Sequence, residues 1–61
     1  MKKKYYRIQF ASGEIQVEIS AFCASDARIL AQADRIKAGL DSQIYAVFVL
    51  NENSKTWEFV S

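Results

Sequence analysis

The side chains that most often carry out catalysis are scarce in this sequence of 61 residues, which has one cysteine and no histidine. Cys23 stands between Phe22 and Ala24 and has no histidine to take its proton, so we interpret it as a packing residue rather than a nucleophile. The seven carboxylates are dispersed along the chain. The only two glycines, Gly13 and Gly39, lie too far apart to build a phosphate-binding loop. The sequence therefore predicts a protein that is not an enzyme and that holds no cofactor or metal.

The composition is that of a small folded domain. Hydrophobic residues make up 51% of the chain and proline is absent, which argues against disorder. The length allows one domain, spanning residues 1–61, with one thin core. No apolar run approaches the ~18 residues needed to cross a bilayer, and the first lysines are not followed by a signal-like apolar stretch. We therefore expect a cytoplasmic protein with no membrane partner.

Positive charge is concentrated at the N-terminus. Four of the eight basic residues lie within the first seven positions: Lys2, Lys3, Lys4 and Arg7. These side chains could hold phosphates while Tyr5, Tyr6 or Tyr45 stack on bases, as exposed sheets with aromatic residues can do. The remainder of the chain is mildly acidic, which favours a solubilising terminus. Nucleic-acid binding is therefore the alternative hypothesis for function.

The first half of the chain predicts a hairpin. Polar and apolar residues alternate from Tyr5 to Phe10 and again after Ser12-Gly13, a pair typical of a tight turn. With Ser12 and Gly13 as the loop, three apolar pairs share one face: Tyr6 with Ile19, Ile8 with Val17, and Phe10 with Ile15. The other face then pairs Arg7 with Glu18 and Gln9 with Gln16. A slip of one residue would invert every side chain, so this agreement favours the register.

A helix is predicted from about Asp26 to Ala38, with Ser25 as its N-cap and Gly39 as its left-handed end. At 100° per residue, four apolar side chains fall on one face, flanked by Leu30: Ile29, Ala33, Ile36 and Leu40. We expect this stripe to cover the sheet. A second stripe of small residues, off the core face, contains Ala27, Ala31 and Ala38.

Two further strands are predicted at Ile44–Leu50 and Lys55–Val60, joined by a turn with Glu52 and Asn53 at its tip. In this register Phe48 faces Trp57 and Ala46 faces Phe59, and we take this side as the core. The chain is then an α+β domain of order ββαββ. The right-handed crossover rule gives an antiparallel sheet of order 2-1-3-4 with one helix on one face.

The other face of this sheet would be open and half apolar, which predicts a binding surface. The predicted partner-binding residues on it are Tyr5, Tyr45, Val47, Val49 and Val60. A homodimer would nearly double the core of a marginal chain, and docking onto another protein is also consistent. The open alternative is that long side chains of the first hairpin cover the valines, or that the closing strand is shifted. The favoured function is a non-catalytic protein-interaction module.

Three segments resemble small accessory proteins of bacteriophages and prophages: Tyr6 to Glu14, Ile19 to Phe22, and Ser25-Asp-Ala-Arg-Ile-Leu-Ala. Such proteins often combine a strand hairpin, a short helix and one or two closing strands. The resemblance covers about the first forty residues and contains no signature residue. It implies a bacterial cytoplasmic setting and, since some of these proteins act by binding host proteins, it favours the interaction hypothesis.

Overall fold

The described part of the chain forms four strands and one helix in the order ββαββ. The computed structural model describes residues 2–13 and 17–61. The elements are β1 (Lys4–Phe10), β2 (Val17–Ala21), α1 (Ala24–Lys37), β3 (Ile44–Asn51) and β4 (Thr56–Phe59). The strands form one antiparallel sheet of order β2-β1-β3-β4. The predicted α+β class, strand order and single helix are confirmed.

The hairpin register is confirmed wherever the structure describes both partners. Tyr6 pairs with Ile19, Arg7 with Glu18, and Ile8 with Val17. The turn begins with the amide of Gly13 donating to the carbonyl of Phe10 at 3.1 Å, and Gly13 has φ 81°, which favours glycine. The expected pairs of Phe10 with Ile15 and Gln9 with Gln16 lie outside the described residues.

The pairing of β1 with β3 decides which side of β3 faces the core. Tyr6 lies opposite Val49 and Ile8 opposite Val47. Directly opposed residues of a sheet share a face, so both valines lie with the core residues of β1. The assignment of the Trp57 and Phe59 side to the core is therefore wrong. The prediction chose the wrong face of β3. Because β3 carries apolar residues on both faces, its own sequence does not show which face is buried.

A bulge in β3 places Tyr45 outside this pattern. Gln9 lies opposite Ala46, but the next residue, Phe10, lies opposite Ile44, so Tyr45 is the extra residue. The amide of Ala11 continues the pairing by donating to the carbonyl of Gln43 at 2.8 Å. Because of the bulge, Ile44 packs against the core and Tyr45 does not.

The turn between β3 and β4 is longer than predicted, which shifts the register by two residues. Phe48 lies opposite Phe59, and Leu50 lies opposite Trp57. Asn51 Oδ1 accepts bonds from the amides of Asn53 and Ser54 at 3.0 and 3.3 Å. Lys55 adopts φ 60° and donates its amide to the Asn51 carbonyl at 2.7 Å. These bonds close a four-residue turn where the sequence suggested two.

Helix α1 packs on the sheet through its small residues. Ala27 and Ala31 are 0% and 1% exposed and belong to the core. The sheet supplies the bulk beneath them through Tyr6, Ile8, Phe10 and Val47. The expected core stripe is therefore wrong: Ile29 and Ile36 are 62% and 66% exposed. At 100° per residue, Ile29 lies about half a turn from the midpoint of the two alanines, so the stripe points away from the sheet.

The two ends of α1 differ in how well the sequence predicted them. Cys23 is the N-cap residue and makes no side-chain capping bond, so the expectation of a Ser25 cap is wrong. Gly39 has φ 73° and donates to the carbonyl of Ile36 at 3.0 Å, while Leu40 donates to that of Arg35 at 2.9 Å. This pair of bonds is a Schellman motif. The predicted glycine end is confirmed.

The helix orientation predicts a contrast between two alanine-to-leucine changes. Ala31→Leu should destabilise the protein by about 1–3 kcal/mol, because extra methylene groups would force α1 off the sheet. Ala33→Leu makes the same change on the exposed side of α1 and should shift stability by less than about 0.5 kcal/mol. Urea unfolding at low protein concentration measures both. Equal losses in the two variants would contradict this orientation.

Candidate functional site

The five residues predicted to bind a partner do not form one surface. Val47 is fully buried and Val49 packs against the core beneath α1. Tyr45 is 72% exposed at the bulge, whereas Tyr5 and Val60 are exposed elsewhere on the sheet. The prediction of an open face containing both valines is therefore wrong. The structure brings two other apolar surfaces to the outside, one on the helix and one on the sheet.

The first surface is the outer side of α1, which we call the helix stripe. It consists of Ile29, Ala33 and Ile36, all exposed, with exposed Leu30 beside them and exposed Leu40 three residues beyond the end of α1. Its residues were recognised from the sequence, but they were assigned to the core. The two sides of α1 differ in side-chain size. Because the sheet residues beneath the helix are bulky, the side that faces them carries alanine.

A cavity of about 300 Å³ opens beside the helix stripe at the N-terminal half of α1. Ile29, Leu30 and Asp26 line it from the helix, and Phe22 lines it from the segment after β2. Lys3 closes another side and lies 5.4 Å from the centre of the Phe22 ring. The cavity is thus apolar, with one positive and one negative side chain at its rim.

The second surface is the sheet face opposite the helix, which we call the aromatic face. Strand alternation and the three registers place five large apolar side chains there together with Arg7 and other polar residues; the apolar ones are Tyr5, Phe48, Leu50, Trp57 and Phe59. The Arg7 guanidinium lies 4.1 Å from the centre of the Trp57 ring, a cation–π contact. Phe48 and Phe59 meet edge to face with centroids 5.8 Å apart. The chain's own side chains therefore cover part of this face.

Three of the four basic N-terminal residues, Lys2, Lys3 and Arg7, are in contact with acidic or aromatic groups. Lys2 Nζ lies 3.7 Å from Glu52, and Arg7 lies 3.5 Å from Glu18 on the aromatic face. Tyr6 is in the core, so it is not available to stack on a base. The two ion pairs partly offset the positive charge of Lys2 and Arg7.

Burial raises the pKa of the Tyr6 hydroxyl above its ordinary value of 10.0, and the nearby Cys23 and Asp26 raise it further. Cys23 itself is exposed, which contradicts its interpretation as a packing residue.

Among the described residues, no group of three or more cysteine, aspartate and glutamate side chains is placed to hold a metal ion. Within the described residues, α1 is too short and too polar to span a lipid bilayer.

Comparison with family models, curated proteins and solved structures gives no match to this chain. The resemblance to bacteriophage accessory proteins therefore stays an expectation, and the choice between functions depends on the surfaces described above.

The raised pKa of Tyr6 predicts a loss of stability at alkaline pH. An unfolded tyrosine deprotonates near 10.0, while the folded protein keeps the Tyr6 proton to higher pH. The stability from this difference is fully present below about pH 10 and is lost as the pH rises through the folded pKa. The Tyr6→Phe variant lacks the titrating group, so its urea midpoint should fall less between about pH 9 and pH 11. Parallel curves for the two proteins would contradict burial of this hydroxyl.

Trp57 provides a test of the nucleic-acid hypothesis, because it is the single tryptophan of the chain and lies on the aromatic face. We expect a single-stranded oligothymidine to leave Trp57 fluorescence unchanged at physiological salt. Quenching that weakens as salt is raised would contradict this expectation, because phosphate contacts have that dependence. An Arg7→Gln variant, which keeps a polar side chain without the charge, is the control for such quenching.

Proposed function

We propose that this chain is a non-catalytic protein-interaction module that works as a homodimer, and that the two copies meet through the helix stripe. The observation that carries the proposal is the orientation of α1. Its alanines face the sheet, while Ile29 and Ile36 remain about two-thirds exposed, at 62% and 66%. A helix that turns its largest aliphatic residues outward has a second surface to cover.

The size of the chain supports a second copy as the occupant. A domain of this length buries only about 60% of the surface of its unfolded chain and is marginally stable. Its core uses alanine at the two buried helix positions, so α1 contributes little apolar area of its own to folding. Burial of the helix stripe would add about 25 cal/mol for each Å² removed from water. Association of folded copies then stabilises the fold by mass action.

The helix stripe is a better candidate for this contact than the aromatic face. On the aromatic face, Arg7 lies over Trp57, and Phe59 packs against Phe48. On the helix, the two arginines are directed elsewhere: Arg28 donates to Ser61 Oγ at 3.2 Å, and Arg35 donates to the Asp41 carbonyl at 2.7 Å. Neither bond brings a guanidinium over Ile29 or Ile36.

Sedimentation equilibrium of two matched variants tests the proposal. A single helix pair gives an interface at the small end of the known range, so we expect dissociation at roughly micromolar concentration. Ile36→Glu should make the protein monomeric, because two copies would bury carboxylates against aliphatic side chains. Its fold should persist, since position 36 is exposed and glutamate is a good helix former.

The control is Phe59→Glu, which changes a residue of nearly equal exposure on the aromatic face, 68% against 66% for Ile36. This variant should dimerise like the parent chain. Dissociation of the Phe59→Glu variant but not of the Ile36→Glu variant would move the interface to the sheet. A parent chain that stays monomeric at millimolar concentration would remove the homodimer altogether.

A further inference from the structure

We propose that the cavity beside the N-terminal half of α1 binds a free α-amino acid with an apolar side chain. The side chain of the ligand lies between Phe22, Ile29 and Leu30, which line the cavity. Its carboxylate lies beside Lys3 and its ammonium group beside Asp26, at the rim. The site goes beyond the proposed homodimer, because it depends on a cavity and two charges of a single copy.

The cavity lies where the end of β2 meets the start of α1. Ser20 and Ala21 line it from the end of β2, and Ile29 and Leu30 line it from α1. The Phe22 ring adds an aromatic wall, so the lining is mostly apolar. A dry apolar cavity of about 150 Å³ is enough to admit benzene. The volume of about 300 Å³ therefore accommodates the side chain of leucine together with the backbone atoms of the free amino acid.

The two charged side chains of the rim have opposite signs and are accessible to a ligand. Lys3 and Asp26 both line the cavity, and both are exposed. Among the described residues, neither takes part in an ion pair, either with the other or with a third residue. The Lys3 ammonium lies 5.4 Å from the centre of the Phe22 ring, a contact that holds it at the cavity. A ligand can therefore meet one positive and one negative group without breaking an ion pair of the protein.

The pair of charges decides which class of apolar ligand fits. A fatty acid pairs with Lys3 but brings its carboxylate near Asp26, and an alkylamine has the opposite conflict with Lys3. An α-amino acid at neutral pH carries an ammonium group and a carboxylate on one carbon, and its side chain leaves from that same carbon. It therefore offers one group to each charge and one to the apolar walls. The flexible stem of lysine lets the Lys3 ammonium follow the carboxylate.

Titration with leucine and two analogues tests the ligand class. Isocaproate is leucine without its amino group, and isopentylamine is leucine without its carboxylate. We expect leucine to shift the amide NMR signals of Phe22, Ile29 and Leu30 in a saturable way, with a roughly millimolar dissociation constant. Each analogue should bind about threefold to fivefold more weakly, because it lacks one exposed ion pair.

Two single variants test the role of each charge. Asp26→Asn should weaken leucine binding by the same factor without weakening isocaproate, which has no ammonium group. Lys3→Gln should weaken leucine binding without weakening isopentylamine, which has no carboxylate. Both positions are exposed, so the fold should persist. The matched controls are Lys2→Gln and Asp34→Asn, which remove the same charges from residues that do not line the cavity, and they should keep the affinity of the parent chain.

The titrations use the Ile36→Glu variant as well as the parent chain, because Ile29 also belongs to the helix stripe and a dimer contact there would border the cavity. Saturable leucine binding by this variant supports the site whether or not the parent chain dimerises, so the inference and the proposed function fail independently. An analogue that binds the variant as tightly as leucine would overturn the recognition of both charges. Unchanged spectra of the variant at tens of millimolar leucine would overturn the site itself.

Discussion

The fold depends on the contact between a small helix face and a bulky sheet face. Ala27 and Ala31 let α1 approach the sheet closely, while Tyr6, Ile8 and Phe10 of β1 and Val47 of β3 fill the space beneath. Each of these side chains is at most 4% exposed. A core made this way is thin, and its helix contributes little apolar area. As a consequence, the large aliphatic residues Ile29, Leu30 and Ile36 of α1 remain exposed.

The first hairpin could be predicted from the sequence because its evidence is local. Alternation on both strands and a Ser-Gly turn leave one register that keeps Tyr6, Ile8 and Val17 on a common face, and the structure has that register. Strand order followed from connection rules that do not depend on individual side chains. The end of α1 could also be predicted from local sequence, because the Schellman motif needs a left-handed residue and Gly39 supplies it.

The faces of β3 and α1 could not be predicted in this way, because both elements are apolar on two sides. In β3, alternation distinguishes Val47 and Val49 from Phe48 without saying which set is covered, and the bulge at Tyr45 interrupts the period. In α1, hydrophobicity predicts that Ile29 and Ile36 face the sheet, whereas the close packing of the helix on the sheet places Ala27 and Ala31 there instead. The predicted binding surface failed for the same reason that the predicted core did, since each had been assigned from size and apolarity alone.

The contrast between the two outer surfaces explains why we assign partner binding to the helix. An exposed aromatic group on a sheet can be covered by a long neighbouring side chain, as Arg7 covers Trp57. Ile29 and Ile36 lie at the top of α1, farthest from the sheet, and the helix arginines contact the other side. Arg35 lies over the Phe10 ring at 4.5 Å, which fixes its stem against the sheet. The geometry that stabilises the monomer thus leaves the helix stripe exposed, and this exposure is the basis of the proposed homodimer.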